Sequence, residues 1–540
     1  MHYELELFLF FSPHTRQKTC IEELAQIWHC SNRYAKKIIQ KLQQQNIIKW
    51  ETSRGRGKKP FLTLLTTKND CISEIFKSYW LKEKFDEAYT LLGEHQMLND
   101  PTIQLWLQQQ YGIQHKPNTD IVFRYPLYHA NLTLNPLLAD TNYDAHFIKQ
   151  LHETLFKENE ITGEVEGNLV FHYETNDHKN WRIILRKGVF FHDLKPVLAS
   201  DVKDSLERIK PIAKPYFDLE KIEIIHNYEL LLTLSKPFAV LPELLTSFRT
   251  VILQKGKPDG MIGCGPFMIK EHSKYRVQLK TFERYFLPRP YIDGVDVLFS
   301  NKNIDLGISY CPYPNHIDQK EIRVQNKELD YIVFNNKSGP MQCPKMRRMV
   351  YDLIDDEAFS EFEKREEANI SNDLILKIDI PMITIGYQQV NIKTNHFEKA
   401  LILKKQLASY GISSRLQCMD LQQIEILDEA IDLYIGSMTT GKHNVISILN
   451  TFLTKPKAIL SFVNEEFKHK LLVNLQQIFT RQSREAYENI FKQIENELIE
   501  MHCLKFLTSK YYHLYIREDV TYKNLEFDEH GFIKYQKIYV

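Results

Sequence analysis

Residues 19–65, TCIEELAQIWHCSNRYAKKIIQKLQQQNIIKWETSRGRGKKPFLTLL, decide how the N-terminal part folds. Thr19-Cys20-Ile21-Glu22 has the form of a capping box, in which Thr19 and Glu22 satisfy each other's amides, and Ile21, Leu24, Ala25 and Trp28 then share one helical face. After His29-Cys30, Ser31 is a suitable N-cap for a further helix to about Gln45, with Ala35, Ile38, Ile39 and Leu42 facing inward. Two short apolar runs, Ile47–Trp50 and Phe61–Leu65, flank Ser53-Arg54-Gly55-Arg56-Gly57-Lys58-Lys59, which predicts a β-hairpin with a flexible cationic tip. Upstream, Leu5, Phe8 and Leu9 fall on one face of a first helix that Ser12-Pro13-His14 closes. Helix, helix, basic helix, basic hairpin is the order of an α+β winged helix-turn-helix, here assigned to residues 1–67.

The outward face of the third helix carries Asn32, Arg33, Lys36, Lys37, Gln40, Lys41 and Gln44 and no acid. Bases and amides suit the acceptors on base edges and phosphates in a major groove, so double-stranded DNA is the expected partner. The expected contact set is Ser31, Asn32, Arg33, Lys36, Lys37, Gln40 and Lys41 on the helix, with Arg54, Arg56, Lys58 and Lys59 on the wing. Charge distribution agrees. The whole chain balances 69 Lys and Arg against 69 Asp and Glu, yet residues 1–67 hold eleven bases and five acids. A basic head therefore sits on a mildly acidic body, which points the head at an anionic partner. Two half-sites fit the symmetry of DNA, so a homodimer is expected.

Residues 68–118 read as a helical connector, with Ile72, Ile75, Phe76, Tyr79 and Trp80 on one face, then Phe85, Ala88, Tyr89 and Leu92, and a start signal at Asn99-Asp100-Pro101. From Ile121-Val122-Phe123-Arg124-Tyr125-Pro126 onward, strand-like runs alternate with amphipathic helices over more than one core's worth of chain. The reading is a two-lobed α/β domain over 119–540, with a first lobe of about 119–310 plus 485–540 and a second of about 311–484.

Within that body, Trp181-Arg182-Ile183-Ile184-Leu185-Arg186-Lys187-Gly188-Val189-Phe190-Phe191-His192-Asp193-Leu194-Lys195-Pro196-Val197, then Ala199-Ser200-Asp201-Val202, resembles the signature of the family 5 extracytoplasmic solute-binding proteins, the peptide- and nickel-binding type. Leu151-His152-Glu153-Thr154-Leu155-Phe156, Gly263-Cys264-Gly265-Pro266-Phe267, Phe334-Asn335-Asn336 and Arg347–Asp355 follow in the order that family shows. Leu194 departs from it, standing where the family usually has Gly. A winged helix joined to such a domain resembles the SgrR family of transcriptional regulators. That resemblance implies a periplasmic-binding-protein-like class II fold and DNA binding controlled by a small-molecule effector in an inter-lobe cleft. Peptide binders of the family tend to carry Trp-x-x-Asp where Met438-Thr439-Thr440-Gly441 stands here, which favours a sugar or sugar phosphate as much as a peptide. The physical reading of the motifs is scaffold: a strand leaving a turn at 185–189, a capped helix start at 199–202, and a tight turn at Gly263 and Gly265.

Several chemistries are set aside. Gly436-Ser437-Met438-Thr439-Thr440-Gly441-Lys442-His443 nearly spells a phosphate loop, but His443 stands where Ser or Thr must hold magnesium. There is no His-Glu-x-x-His, no Cys-x-x-Cys pair and no Gly-x-Ser-x-Gly elbow, so no metal, cofactor or catalytic residue is expected, and the eight cysteines read as reduced, mostly buried thiols. The opening Met1-His2-Tyr3-Glu4-Leu5-Glu6 lacks the basic start and long apolar run of a secretory signal, and no run spans a bilayer, which makes the cytoplasm the expected location and no membrane the expected partner. The competing reading is a binding component of an ABC-type transporter whose head contacts protein; a secretory signal would favour it.

Overall fold

The computed structural model describes residues 2–52, 59–98, 100–115, 120–127, 132–139, 142–159, 162–213, 218–299, 319–325, 328–359, 381–388, 395–419, 430–439, 458–480, 484–507, 511–517, 526–528 and 532–539. The chain forms two compact units. The first comprises Met1–Tyr111 with His272–Val277 and the stretch that begins at Val297; the second starts at Gly112 and holds most of the remainder.

The first unit opens with α1 (Tyr3–Leu7), β1 (Gln17–Lys18), α2 (Ile21–Ile27), α3 (Asn32–Gln44), β2 (Ile48–Glu51) and β3 (Phe61–Leu64). The strands form an antiparallel sheet in the order β1-β3-β2, with Lys18 opposite Phe61 and Phe61 opposite Glu51. Its core is the predicted inward stripe of α3, Ala35, Ile38, Ile39 and Leu42, closed by Leu24, Ala25 and Trp28 of the α2 segment and by Ile48, Leu62 and Leu64 of the sheet. Burying each large aliphatic of that stripe contributes about 2 kcal/mol.

Two local expectations shift. The capping box of α2 lies one residue later: Cys20 is the N-cap, and Glu23 Oε2 accepts from the Cys20 amide (3.2 Å) and the Thr19 hydroxyl (2.9 Å). Thr19 cannot take the cap position because its own amide donates to Pro60 O (3.1 Å), which ties it to the end of the sheet. The first helix also ends at Leu7, leaving Leu9 74% exposed rather than on the buried face with Leu5 and Phe8.

Three further helices, α4 (Lys68–Leu81), α5 (Phe85–Glu94) and α6 (Pro101–Gln108), follow. Thr67 and Asp70 cap α4 reciprocally, and Asp100 Oδ1 accepts from the amides of Thr102 (2.9 Å) and Ile103 (3.1 Å) at the head of α6, the start signal read from Asn99-Asp100-Pro101. Helical structure then gives way to a strand, Gly112–His115, inside the segment expected to be helical throughout. Phe76, Trp80, Phe85, Tyr89, Ile103 and Leu107 form the helical core, with Trp80 edge-on to Phe85 at 4.8 Å. Residues 272–277 complete it. Tyr275 stacks on Tyr89 at 5.5 Å, and the Arg276 guanidinium, 2% exposed, lies 4.5 Å over Phe85 and 3.4 Å from Glu83.

The second unit is mixed α/β. Strand 180–185, the start of the diagnostic motif, sits inside a four-stranded sheet, antiparallel to 229–234 on one side and 170–174 on the other, with 219–226 at the edge. Gly188 turns the chain with φ +78°, and the helix Ala199–Ala213 follows, its Asp201 carboxylate accepting from the Leu198 amide (2.9 Å). Another sheet orders strands 414–419, 383–388, 433–439, 328–334 and 504–506, mixing parallel and antiparallel pairs.

Gly263 and Gly265 serve close approach rather than a positive φ: a Cβ on Gly263 would stand 1.9 Å from Leu151 O, and one on Gly265 2.6 Å from Leu151 C. Two buried histidines hold this crossing. His152 Nε2 bonds Gly260 O (2.9 Å), and the His192 ring bonds the Gly263 amide (3.1 Å) and Gly265 O (3.2 Å). Burial pushes them down to about 3 and about 4, so both stay neutral.

Leu194 has φ +69°, a left-handed conformation that costs a β-carbon-bearing residue about 1 kcal/mol or more, and its side chain is 52% exposed. The family's glycine at this position thus has a backbone cause. Leu194→Gly is expected to raise the unfolding free energy of the second unit by about 0.5 kcal/mol in chemical denaturation, because relief of strain exceeds the entropy of glycine; a loss of stability would show that Leu194 contributes packing instead.

Candidate nucleic-acid interface

Ser31 starts α3 from an extended conformation, and its hydroxyl accepts from the Tyr34 amide at 3.3 Å, as an N-cap should. Fixing the apolar stripe inward leaves Asn32, Arg33, Lys36, Lys37, Gln40, Lys41 and Gln44 all exposed, with Ser31 at their head. Arg33, Lys37, Gln40 and Gln44, spaced four, three and four residues apart, form the row farthest from the core. Lys36 lies on the flank toward α2, near enough for its charge to act on Glu22. That carboxyl is held below the usual range mainly by hydrogen bonds to its own amide and to Cys20, and secondarily by Lys36. The helix therefore presents these seven exposed polar or cationic side chains for direct contact without an intervening acid on the same element.

The wing divides differently. Lys59 pairs with Glu23 of α2, and the contact lowers the Glu23 carboxyl and raises the Lys59 ammonium. Its ammonium thus serves the fold of α2 as well as any ligand. Arg54, Arg56 and Lys58 lie outside the described residues, as do Thr440, Gly441, Lys442 and His443 of the phosphate-loop look-alike. The described part of that look-alike is strand 433–439, where Gly436 faces Tyr331 and a Cβ would meet the Tyr331 ring at 2.8 Å. A glycine there makes room for an aromatic ring.

The sequence reading did not find the outer face of the wing sheet. Lys18, Phe61 and Glu51 stand in one row across its three strands. Arg16 spreads its guanidinium 3.8 Å over the Phe61 ring and donates to Glu51 Oε2 (3.1 Å), while Lys49 approaches Glu51 Oε1 at 3.4 Å. Three cations with one acid thus continue the basic surface. A two-residue strand is too short to leave a period, so only the alternation of Arg16 and Lys18 about Gln17 could have signalled it.

Among the described residues, no three His, Cys, Asp or Glu side chains are placed to hold a metal ion, and no helix is long and apolar enough to cross a membrane. Of the seven described cysteines, Cys71, Cys264 and Cys503 are buried, Cys20 and Cys30 half-buried, and Cys343 and Cys418 exposed. Motif residues of the second unit act as scaffold. Asn335 Nδ2 donates to Ile431 O (2.8 Å), Arg347 spans the carbonyls of Met341 (2.6 Å) and Met501 (3.0 Å), and Glu153 accepts from Tyr285 Oη and Asn168 Nδ2, both at 2.5 Å.

Comparison with known proteins matches the same two parts separately. Residues 3–117 match the family described as sugar transport-related sRNA regulator, N-terminal, and residues 134–362 match bacterial extracellular solute-binding proteins, family 5, middle. The two matches together are consistent with the SgrR family. The HTH-type transcriptional regulator SgrR of Yersinia enterocolitica is 26% identical over 348 residues, covering 62% of this chain and 61% of that regulator. The uncharacterized protein YhjP of Bacillus subtilis is 25% identical over 559 residues, covering 96% of this chain and 95% of its own. Among solved structures, the fold is shared with the oligopeptide-binding protein AppA of B. subtilis in complex with a nonapeptide (TM-score 0.59, 18% identity, 78% of this chain and 99% of that one). It is shared also with NikA of Brucella suis in complex with Fe(III)-EDTA (TM-score 0.62, 15% identity, 77% and 99%). The chain thus combines a winged helix with the class II α/β fold of peptide- and nickel-type binding proteins.

Ser31 holds the first turn of α3, so Ser31→Ala is expected to lower the unfolding free energy of the first unit by about 1 kcal/mol in urea denaturation. An unchanged midpoint would mean that the tertiary contacts of α3 alone fix its start.

Proposed function

We propose that this protein is a DNA-binding transcriptional regulator of the cytoplasm, in which the solute-binding-like domain senses a small molecule and controls binding of the winged helix to promoter DNA. The observation that carries the reading is the exposed, acid-free face of α3, packed by its opposite stripe into a winged-helix core. Arg33, Lys36, Gln40 and Gln44 read base edges, with Ser31 and Asn32 at the leading end, while Lys37 and Lys41 neutralise phosphates on the flank away from α2. Arg54, Arg56 and Lys58 at the wing tip, with Lys59 behind them, add phosphate contacts. Two copies bind as a homodimer to matching half-sites.

The effector is a sugar, a sugar phosphate or a peptide-like molecule bound between lobes. It acts only through its differential affinity for the domain states that favour and disfavour DNA binding, so its role is regulatory binding and not turnover.

Substitution separates the two kinds of contact. Arg33→Ala with Lys36→Ala is expected to weaken binding to DNA from upstream of the protein's own gene at least tenfold more than binding to random duplex. Arg54→Ala with Arg56→Ala is expected to weaken both equally and to reduce the slope of log K against log salt by about 2. Wild-type affinities in both variants, measured by fluorescence anisotropy, would contradict the assignment.

A further inference from the structure

Tyr34 is the third residue of α3, and its aromatic side chain is 46% exposed beside a row of cations. It lies on the edge of the helix where Lys37 and Lys41 follow at spacings of three and four, a row that flanks the base-reading face rather than forming part of it. The ring is held from below. Trp28, 1% exposed, donates its indole N–H to Tyr3 O (2.8 Å) and packs edge-on against the Tyr3 ring at 6.3 Å. Tyr3 in turn packs edge-on against Tyr34 at 6.1 Å with an interplanar angle of 74°. Side-chain hydrogen bonding with Tyr34 is the largest cause that holds the Tyr3 phenol above its usual range. A phenol carries one O–H donor and two acceptor lone pairs, so the exposed Tyr34 hydroxyl has capacity for a partner beyond Tyr3. An exposed, pre-positioned O–H donor next to two lysines matches the oxygen of a backbone phosphate, and the aromatic ladder has already restricted the rotamer freedom that binding would otherwise cost.

We propose that the Tyr34 hydroxyl donates to a DNA phosphate alongside Lys37 and Lys41, and that Tyr3 is the residue that positions it. This rests on the reading of the head as a DNA-binding domain. Because the donor is neutral it releases no counterion, so its contribution is sequence-independent and also salt-independent, a combination that neither a lysine nor a base-reading residue gives.

The test is fluorescence anisotropy of the full chain on a random-sequence duplex and on DNA upstream of its own gene, each across a salt series, with Tyr34→Phe, Tyr3→Phe and Lys37→Ala. Phenylalanine keeps the ring packing, and equal thermal midpoints for Tyr34→Phe and wild type check that it does. Tyr34→Phe is expected to bind both duplexes about fivefold more weakly with an unchanged salt slope. Tyr3→Phe should bind both more weakly by a smaller factor, and Lys37→Ala should flatten the slope by about 1. Wild-type affinity for Tyr34→Phe on both duplexes, or a loss confined to the upstream DNA, would overturn the phosphate contact while leaving the DNA-binding reading in place. A wild-type chain that binds neither duplex at low salt would overturn both.

Discussion

The inward stripe of α3 is the constraint on which the head depends. Ala35, Ile38, Ile39 and Leu42 fill one side of the helix and are buried against α2 and the sheet, so helical geometry leaves Arg33, Lys37, Gln40 and Gln44 no position except the opposite side. The core thereby aims the polar row; no separate device is needed to orient it. The same packing carries Trp28 under Tyr3, which links the first three helices through aromatic rings and one indole hydrogen bond. A substitution in the stripe would therefore disturb the ligand face and the core together.

Electrostatics refine this arrangement rather than create it. Glu23 closes the cap of α2 and also draws in Lys59, so one carboxylate joins a helix start to the base of the wing. Glu51 does the same for Arg16 and Lys49 on the outer sheet face. Glu51 sits between two cations that would otherwise repel one another, and the pairings of both acids are exposed enough to be worth little in isolation. Their effect is to hold cations in register. The helical part of the same unit relies instead on aromatic burial, with Tyr275 and Arg276 supplied by a chain segment nearly two hundred residues distant in sequence from Tyr89 and Phe85.

Elements fixed by local pattern were legible in the sequence. The third helix announced its cap and both faces within fourteen residues, Ser31–Gln44, and the signature 181–202 placed the binding-protein fold. Features set by distant partners were not. The cap of α2 moved from Thr19 to Cys20 because Pro60 claims the Thr19 amide. Leu9 is exposed because α1 stops at Leu7. The strand β1 is recognisable only through its pairing with β3. Gly263 and Gly265 were read as turn glycines, yet what excludes a side chain there is the backbone of Leu151 and His152. The departure at Leu194 was visible as a mismatch with a family pattern, but its meaning, a left-handed residue bearing a β-carbon, required the backbone angle.

The central claim is that the head of this protein binds DNA through α3. Its most direct test is an anisotropy titration of the unmodified full chain against duplex DNA from upstream of its own gene, at two salt concentrations and with an excess of random duplex as competitor. The account predicts tight binding that resists the competitor and weakens steeply as salt rises. Binding no tighter to this DNA than to random duplex, with little dependence on salt, would contradict it.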